Sequence, residues 1–250
     1  MSHNGAQIGQ LIQNGLLCWS HEDWIKAGFI HGFCGKCLKD YSQTKEKLAS
    51  LLKKETVLEL KQVHSNKIID VDEYGVSNIA EAVLNNTPLE GDGLIFRYEQ
   101  NKPFLAIIKT ADCLPIIIKG SRRAAIVHAG WRGLASGIVQ KGVEEVISKC
   151  ANKALEVVIG PSACSRCYEV GEDVAKEFKE ECLVEITTGK YLLNLIEAAR
   201  LAVLSVKSDA KIYDSGICTI ENKNFYSYRR EREECGRNIT FVSIAGSLEK

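Results

Sequence analysis

The chain has no charge excess of either sign: 32 basic residues face 32 acidic ones. Without a basic stripe it lacks the electrostatic footprint of nucleic-acid binding, and without a Lys/Arg block it lacks that of a membrane surface. Long apolar runs are missing too. A run such as Leu114-Pro115-Ile116-Ile117-Ile118 falls far short of the roughly 20 residues that span a bilayer. Met1-Ser2-His3-Asn4-Gly5 shows no basic stretch leading into an apolar one, so no export signal is read there and a cytoplasmic location is expected. Met1 is the only methionine, which leaves no axial Met for a blue-copper centre. There is no internal repeat, linker or low-complexity segment. The expected organisation is one domain over 1–250, with 1–30 as a poorly defined N-terminal segment.

Cysteine is plentiful. Ten of them, irregularly spaced, read as reduced cytosolic thiols rather than a disulfide framework. Two Cys-x-x-Cys pairs stand out: Cys34-Gly35-Lys36-Cys37 and Cys164-Ser165-Arg166-Cys167. They lie too far apart in sequence for the halves of a zinc ribbon, and neither opens a helix after a buried strand. Both are expected to be unlinked thiols near the surface of loops.

Histidine is scarce, and its placement is informative. Of the five, His3 and His21 sit in an unpatterned stretch and His31 opens what reads as a Gly-rich turn. The other two end short apolar runs. His64 lies in Gln62-Val63-His64-Ser65 and His128 in His128-Ala129-Gly130-Trp131-Arg132-Gly133, and between them comes Thr110-Ala111-Asp112-Cys113-Leu114-Pro115. Strand ends are where rigid scaffolds place reactive groups. Two imidazoles and a thiolate suit borderline-soft zinc, and three protein ligands leave a fourth position open. Taken singly, each of the three could equally be a core residue.

Periodicity gives a coarse map. Helices are expected over 45–54, 134–150, 172–182 and 191–206, and strands over 56–63, 67–71, 93–96, 104–109, 114–119, 124–128, 155–159 and 240–244. Residues 73–90 read as a polar loop. Strands and helices do not alternate strictly, so the expected class is α+β, with mixed β-sheets packed with helices.

Several segments occur in a diagnostic order: Lys61-Gln62-Val63-His64, Gly91-Asp92-Gly93, the Cys113 and His128 segments, Gly160-Pro161, Cys167-Tyr168-Glu169-Val170-Gly171 and Phe225-Tyr226-Ser227-Tyr228-Arg229-Arg230. From about residue 31 onward the chain resembles the bacterial laccase-domain (multicopper polyphenol oxidase-like) family, now regarded as zinc-dependent purine nucleoside phosphorylases. The resemblance implies an αβ sandwich similar to the cytotoxic necrotizing factor catalytic domain. It implies one zinc per chain on His64, Cys113 and His128, which are also the expected catalytic residues. It further implies phosphorolysis of adenosine, inosine, guanosine and methylthioadenosine, with adenosine deaminase activity.

Two departures matter. Lys36 stands where the family commonly has an arginine, without the following glycine pair, and a lysine keeps the charge but loses the bidentate fork. Asn194 replaces a common aspartate. The expected partners are therefore a purine nucleoside and phosphate, held by Lys36, Gln62, Asp112, Arg132 and Arg229. Copper is not expected, because a multicopper site needs many more histidines than five. Two alternatives stay open. One is a metal-free thiol hydrolase with Cys113 as nucleophile and His128 as base. The other is a cell-wall precursor editing factor without nucleoside turnover.

Overall fold

A computed structural model describes residues 16–36, 40–98, 102–148 and 154–245. Two large sheets form the frame. One has five strands in the order β1 (Cys18–Trp19), β2 (Ile30–Cys34), β14 (Asn238–Ile244), β6 (Phe104–Thr110) and β3 (Val57–Glu59). The other has six: β13 (Lys211–Asp214), β9 (Glu156–Ile159), β7 (Leu114–Lys119), β8 (Arg123–Ala129), β5 (Gly93–Arg97) and β4 (Ile68–Asp70). A small third sheet joins β10 (Glu169–Gly171), β12 (Lys190–Leu193) and β11 (Leu183–Thr187). Pairing is mostly antiparallel, with parallel pairs β3–β6, β4–β5 and β9–β13. The expected α+β class is what the chain adopts.

Strand parity explains the layers. Phe104, Ala106 and Ile108 of β6 pack with Ile117 of β7 and Ala124 and Ile126 of β8, filling the space between the large sheets. Leu105 and Ile107 face the other way, onto Leu48 of helix α2 (Tyr41–Leu51). Ala125, Val127 and Ala129 turn from β8 towards Val139, Val143 and Val146 of helix α6 (Ile138–Ser148). Successive side chains point to opposite faces of a strand. His128 therefore shares the parity of Ala124 and Ile126 and points into the layer between the sheets, at its end.

Several local expectations are revised. Helix α1 (Glu22–Lys26) and strand β1 occupy the stretch that showed no period. Residues 73–90 carry helices α3 (Val71–Tyr74) and α4 (Val76–Leu84). The expected 134–150 helix is two, α5 (Trp131–Ala135) and α6, broken at Gly137 with φ 85°. Only Glu172–Ala175, α7, is helical in the 172–182 stretch, with a short 3-10 turn at Glu180–Cys182. Helix α8 (Leu195–Val206) starts later than expected, because Asn194 is its N-cap and accepts from the Glu197 amide at 3.1 Å. Asn and Asp cap almost equally well, so this departure costs the fold little.

Cys34 is not a loop thiol. It is fully buried in β2 and forms a disulfide with Cys18 on the neighbouring strand, so the reading of all ten cysteines as free thiols is corrected for this pair. Cys37 lies outside the described residues.

Candidate functional site: a His–Cys–His centre between two buried carboxylates

Three chain segments converge at one end of the sandwich. His64 lies in the loop from β3 to β4, Cys113 in the loop from β6 to β7, and His128 near the end of β8. Their donor atoms all lie within 4.8 Å of one another. The Cys113 Sγ is 4.0 Å from His64 Nε2. The two imidazole rings meet edge to face with centroids 4.8 Å apart. A Cβ on Gly130 would come within 2.9 Å of His64 Cδ2 and 3.1 Å of Cys113 Sγ, so glycine there leaves the donors room.

One buried carboxylate arranges two of the donors. Asp92 is completely shielded from solvent. Its Oδ1 pairs with His128 Nδ1 at 2.9 Å and accepts from the His64 amide at 3.0 Å. Its Oδ2 accepts from the Ser65 amide and hydroxyl at 2.6 and 2.8 Å. With His128 Nδ1 occupied, its Nε2 is left for the centre. A carboxylate behind a ligating imidazole is the usual outer support of a metal site.

A second carboxylate places the third donor. Asp112 is buried beside Cys113 and accepts from Thr219 Oγ1 at 2.7 Å, Ser227 Oγ at 3.1 Å and the Arg229 amide at 2.8 Å. His64 and Asp112 both hold left-handed backbone, φ 61° and 84°, as does nearby Arg232 at 54°. Non-glycine residues rarely adopt this conformation, and where they do it tends to mark functional sites.

Charge accumulates here against the pull of burial. Burial pushes the Cys113 thiol up, yet hydrogen bonds and charge from His128 and His64 bring it down to about 6. Burial pushes His128 down, yet Asp92 and Cys113 carry it up to about 9. Burial raises Asp92, but the His128 and Ser65 hydrogen bonds hold it at about 2. A thiolate beside two imidazoles, one oriented by a carboxylate, matches the donor chemistry of a borderline-soft divalent metal. The residues present therefore fit such an ion.

Two adjoining cavities open on the centre, and both are lined by His64, Ala111, Cys113 and Tyr228. The larger, about 470 Å³, adds Lys61, Gln62, Lys109 and Arg237. The other, about 350 Å³, adds Trp131, Arg132, Tyr168, Arg229 and Arg232. Sizes of this order suit small-molecule ligands.

The expected substrate residues divide. Arg132 and Arg229 line the second cavity, their guanidinium groups over the rings of Trp131 and Tyr168 at 4.3 and 4.8 Å. Gln62 lines the first, but both ends of its amide are bonded to the Lys109 backbone, each at 2.8 Å. The carboxylate of Asp112 is taken up by the C-terminal loop. Lys36 lines neither cavity: it pairs with Glu231 at 2.6 Å and lies over the Tyr226 ring. Asp92, Tyr168, Thr219, Ser227 and Arg232 had been given no role. Asp92, Tyr168 and Ser227 lay in the segments that occur in diagnostic order, and Asp92 alone is an acid set between two glycines; Thr219 and Arg232 carried no sequence signal.

Residues 38–245 match the family described as multi-copper polyphenol oxidoreductase laccase. The Escherichia coli K12 protein named purine nucleoside phosphorylase YfiH is 30% identical over 194 residues, covering 73% of this chain and 72% of that one. A protein named adenosine deaminase RL5, from an unknown prokaryotic organism, is 31% identical over 73% of this chain and 72% of its own length. Bacillus licheniformis hypothetical protein YfiH superposes with a TM-score of 0.79 at 25% identity, covering 94% of this chain and 98% of that one. Geobacillus stearothermophilus YlmD gives 0.73 at 27%, covering 87% and 92%. The match spans most of the described fold and takes in Cys113 and His128 together with the carboxylates behind them, and the chain belongs to the multi-copper polyphenol oxidoreductase laccase family.

Proposed function

We propose that this chain is a zinc-dependent purine nucleoside phosphorylase that also deaminates adenosine in the same pocket. The carrying observation is the convergence of His64, Cys113 and His128 within 4.8 Å at the junction of two ligand-sized cavities. Relatives bearing both activity names support it. Adenosine, inosine, guanosine and methylthioadenosine are the proposed nucleosides. His64, Cys113 and His128 would hold the zinc, which supplies Lewis acidity at its open position when bound.

The chain's own groups do the positioning. Phosphorolysis needs a phosphate held against C1′ while positive charge grows on the ribose. Among the described residues, no carboxylate pairs with the guanidinium groups of Arg132, Arg229 or Arg232. Three uncompensated cations in one cavity make a phosphate subsite, and Arg presents the bidentate fork that phosphate matches. In the larger cavity Thr110 Oγ1 is buried and has no hydrogen-bond partner among the described residues. It is the hydroxyl we assign to the nucleoside, since an unmade buried hydrogen bond is costly until a ligand completes it.

The alternatives fit less well. A Cys–His dyad needs one imidazole, whereas two converge on the Cys113 sulfur and a carboxylate orients one of them. For multicopper oxidation, the His31 ring in β2 is taken up away from the centre, by the Phe29 carbonyl at 3.0 Å and the His21 amide at 3.1 Å. Among the described residues, His64 and His128 are the histidines at the centre.

Product analysis tests the proposal. Adenosine with phosphate should give adenine and ribose 1-phosphate, and without phosphate only inosine. Both products should vanish on metal removal or in Cys113→Ala. Arg229→Ala should slow the phosphate-dependent branch by about 10- to 100-fold and the deamination much less. Substitution of Lys36 should move the phosphate KM little, because its partner is Glu231 and such partly exposed pairs contribute under about 1 kcal/mol. Turnover equal to a metal-stripped control would overturn the reading.

A further inference from the structure

A second cluster of soft donors lies on loops behind the first. The turn after β9 carries Cys164 and Cys167, and the stretch after β13 carries Cys218 and Glu221. The three sulfurs and one carboxylate oxygen all lie within 4.8 Å of one another. Sulfurs about a tetrahedral zinc sit roughly 3.8 Å apart, so a contraction of about 1 Å would close the site. The other free cysteines described, Cys182 and Cys235, belong to no such group.

The backbone is that of two facing turns. The Cys167 and Tyr168 amides fold back onto the Cys164 carbonyl at 3.0 and 3.1 Å. On the facing turn the Asn222 amide folds back onto the Cys218 carbonyl at 2.9 Å. The amides of Glu221, Cys164 and Ile220 and the Cys164 thiol all point at the Cys218 sulfur. Amide N–H groups around a cysteine sulfur stabilise a thiolate, the form that binds metal. A bridge between Ser162 and Cys218 locks the turns together.

We infer that Cys164, Cys167, Cys218 and Glu221 form a second, structural metal site for a thiophilic divalent ion such as zinc. The three thiols release their protons to solvent as the ion binds, and Glu221 completes a closed four-ligand set. Glu221 now accepts from Arg166 at 2.9 and 3.3 Å and from the Cys167 thiol at 3.5 Å. Arg166 would stay beside the site and offset its net negative charge. The ion would tie down both neighbours of the catalytic pocket. Tyr168, next to Cys167, carries the Arg229 guanidinium. Thr219, next to Cys218, bonds Asp112.

The test is metal content of the full chain purified in reductant and zinc, set against the double variant Cys164→Ser/Cys167→Ser and the control Cys182→Ser. The double variant should lose one zinc per chain and the control none, with a lowered Tm for the double variant. His64→Ala should remove a different zinc, so failure of the first centre and failure of this one read out separately. Should the double variant misfold, the wild type loaded with Co²⁺ gives a second measurement. Cys164, Cys167 and Cys218 should resist alkylation until a chelator is added. Unchanged metal content in a folded double variant, or alkylation of these thiols in the metal-loaded protein, would overturn the inference.

Discussion

Two buried imidazoles sit in the two large sheets and behave in opposite ways. His31 in β2 is fully buried, and burial lowers it to about 4, with the charges of His21 and Lys119 adding to the fall. Its Nδ1–H donates to the Phe29 carbonyl at 3.0 Å, and its Nε2 accepts from the His21 amide at 3.1 Å. Trp24 and Phe29 pack around it. A neutral ring satisfies both bonds, whereas a proton on Nε2 would set two donors face to face. His128 is nearly as buried, but it faces a carboxylate and a thiolate and rises to about 9. Depth alone does not set the charge. The partners at the two ring nitrogens do, which keeps one histidine a neutral core residue and favours charge on the other.

Exchanging the partners should exchange the behaviour. The largest effect is expected from removing the functional ring. His128→Ala should lose the zinc, drop turnover to the metal-free background and leave Asp92 as an unpaired buried charge. Metal analysis and product assays on the same sample check this, and retained zinc would break the comparison. Asp92→Asn keeps the ring but weakens its company. It should cost about 10- to 100-fold in metal affinity or turnover without abolishing either, as read by competition with a chromophoric chelator.

The last effect concerns His31, and it touches stability at low pH but not turnover. Its native pKa lies below its unfolded value, so the unfolded chain binds the extra proton. Stability is full above pH 6.5 and falls as pH drops towards 4, by about 3 kcal/mol for this group. His31→Asn keeps a donor near the Phe29 carbonyl and should flatten that part of the pH dependence, whatever its absolute stability. Denaturant midpoints from pH 7.5 to 4 measure the slope, and an equal slope in both proteins would show that His31 titrates freely.

The contrast also marks what sequence could and could not convey. The grouping of His64, Cys113 and His128 was legible because two of the scarce histidines end short apolar runs and Cys113 adjoins a third. His31 was misread as opening a turn, since Gly32 and Gly35 masked a strand whose pairing with β14 comes from far along the chain. The helices at 71–84 were missed because they are short, break at Gly75 with φ 85°, and bury only Val71, Val76 and Ile79. Tertiary packing rather than pattern settles such segments. Lys36 looked available because it stands where the family commonly has an arginine, and nothing local announces Glu231 as its partner. Asp112 looked like a substrate contact because nothing local announces its partners either. Cys164 and Cys167 seemed isolated because their companions, Cys218 and Glu221, lie on a strand connection that no spacing rule links to them.

Asp112 has a further consequence, in the order of folding. Its side-chain partners Thr219, Ser227 and Arg229 lie 107, 115 and 117 residues downstream, and strand β6 beside it pairs along its whole length with β14. Contacts of such separation close large loops and form late. As the chain emerges from the ribosome, all three first-centre donors are out long before the walls of the pocket exist. A nascent chain stalled near residue 200 would carry His64, Cys113 and His128 with no wall from Arg229 or Arg232 and with the Asp112 carboxylate unsatisfied. The pocket thus belongs to the finished fold, and assembly of the enzyme ends where its substrate cavity closes.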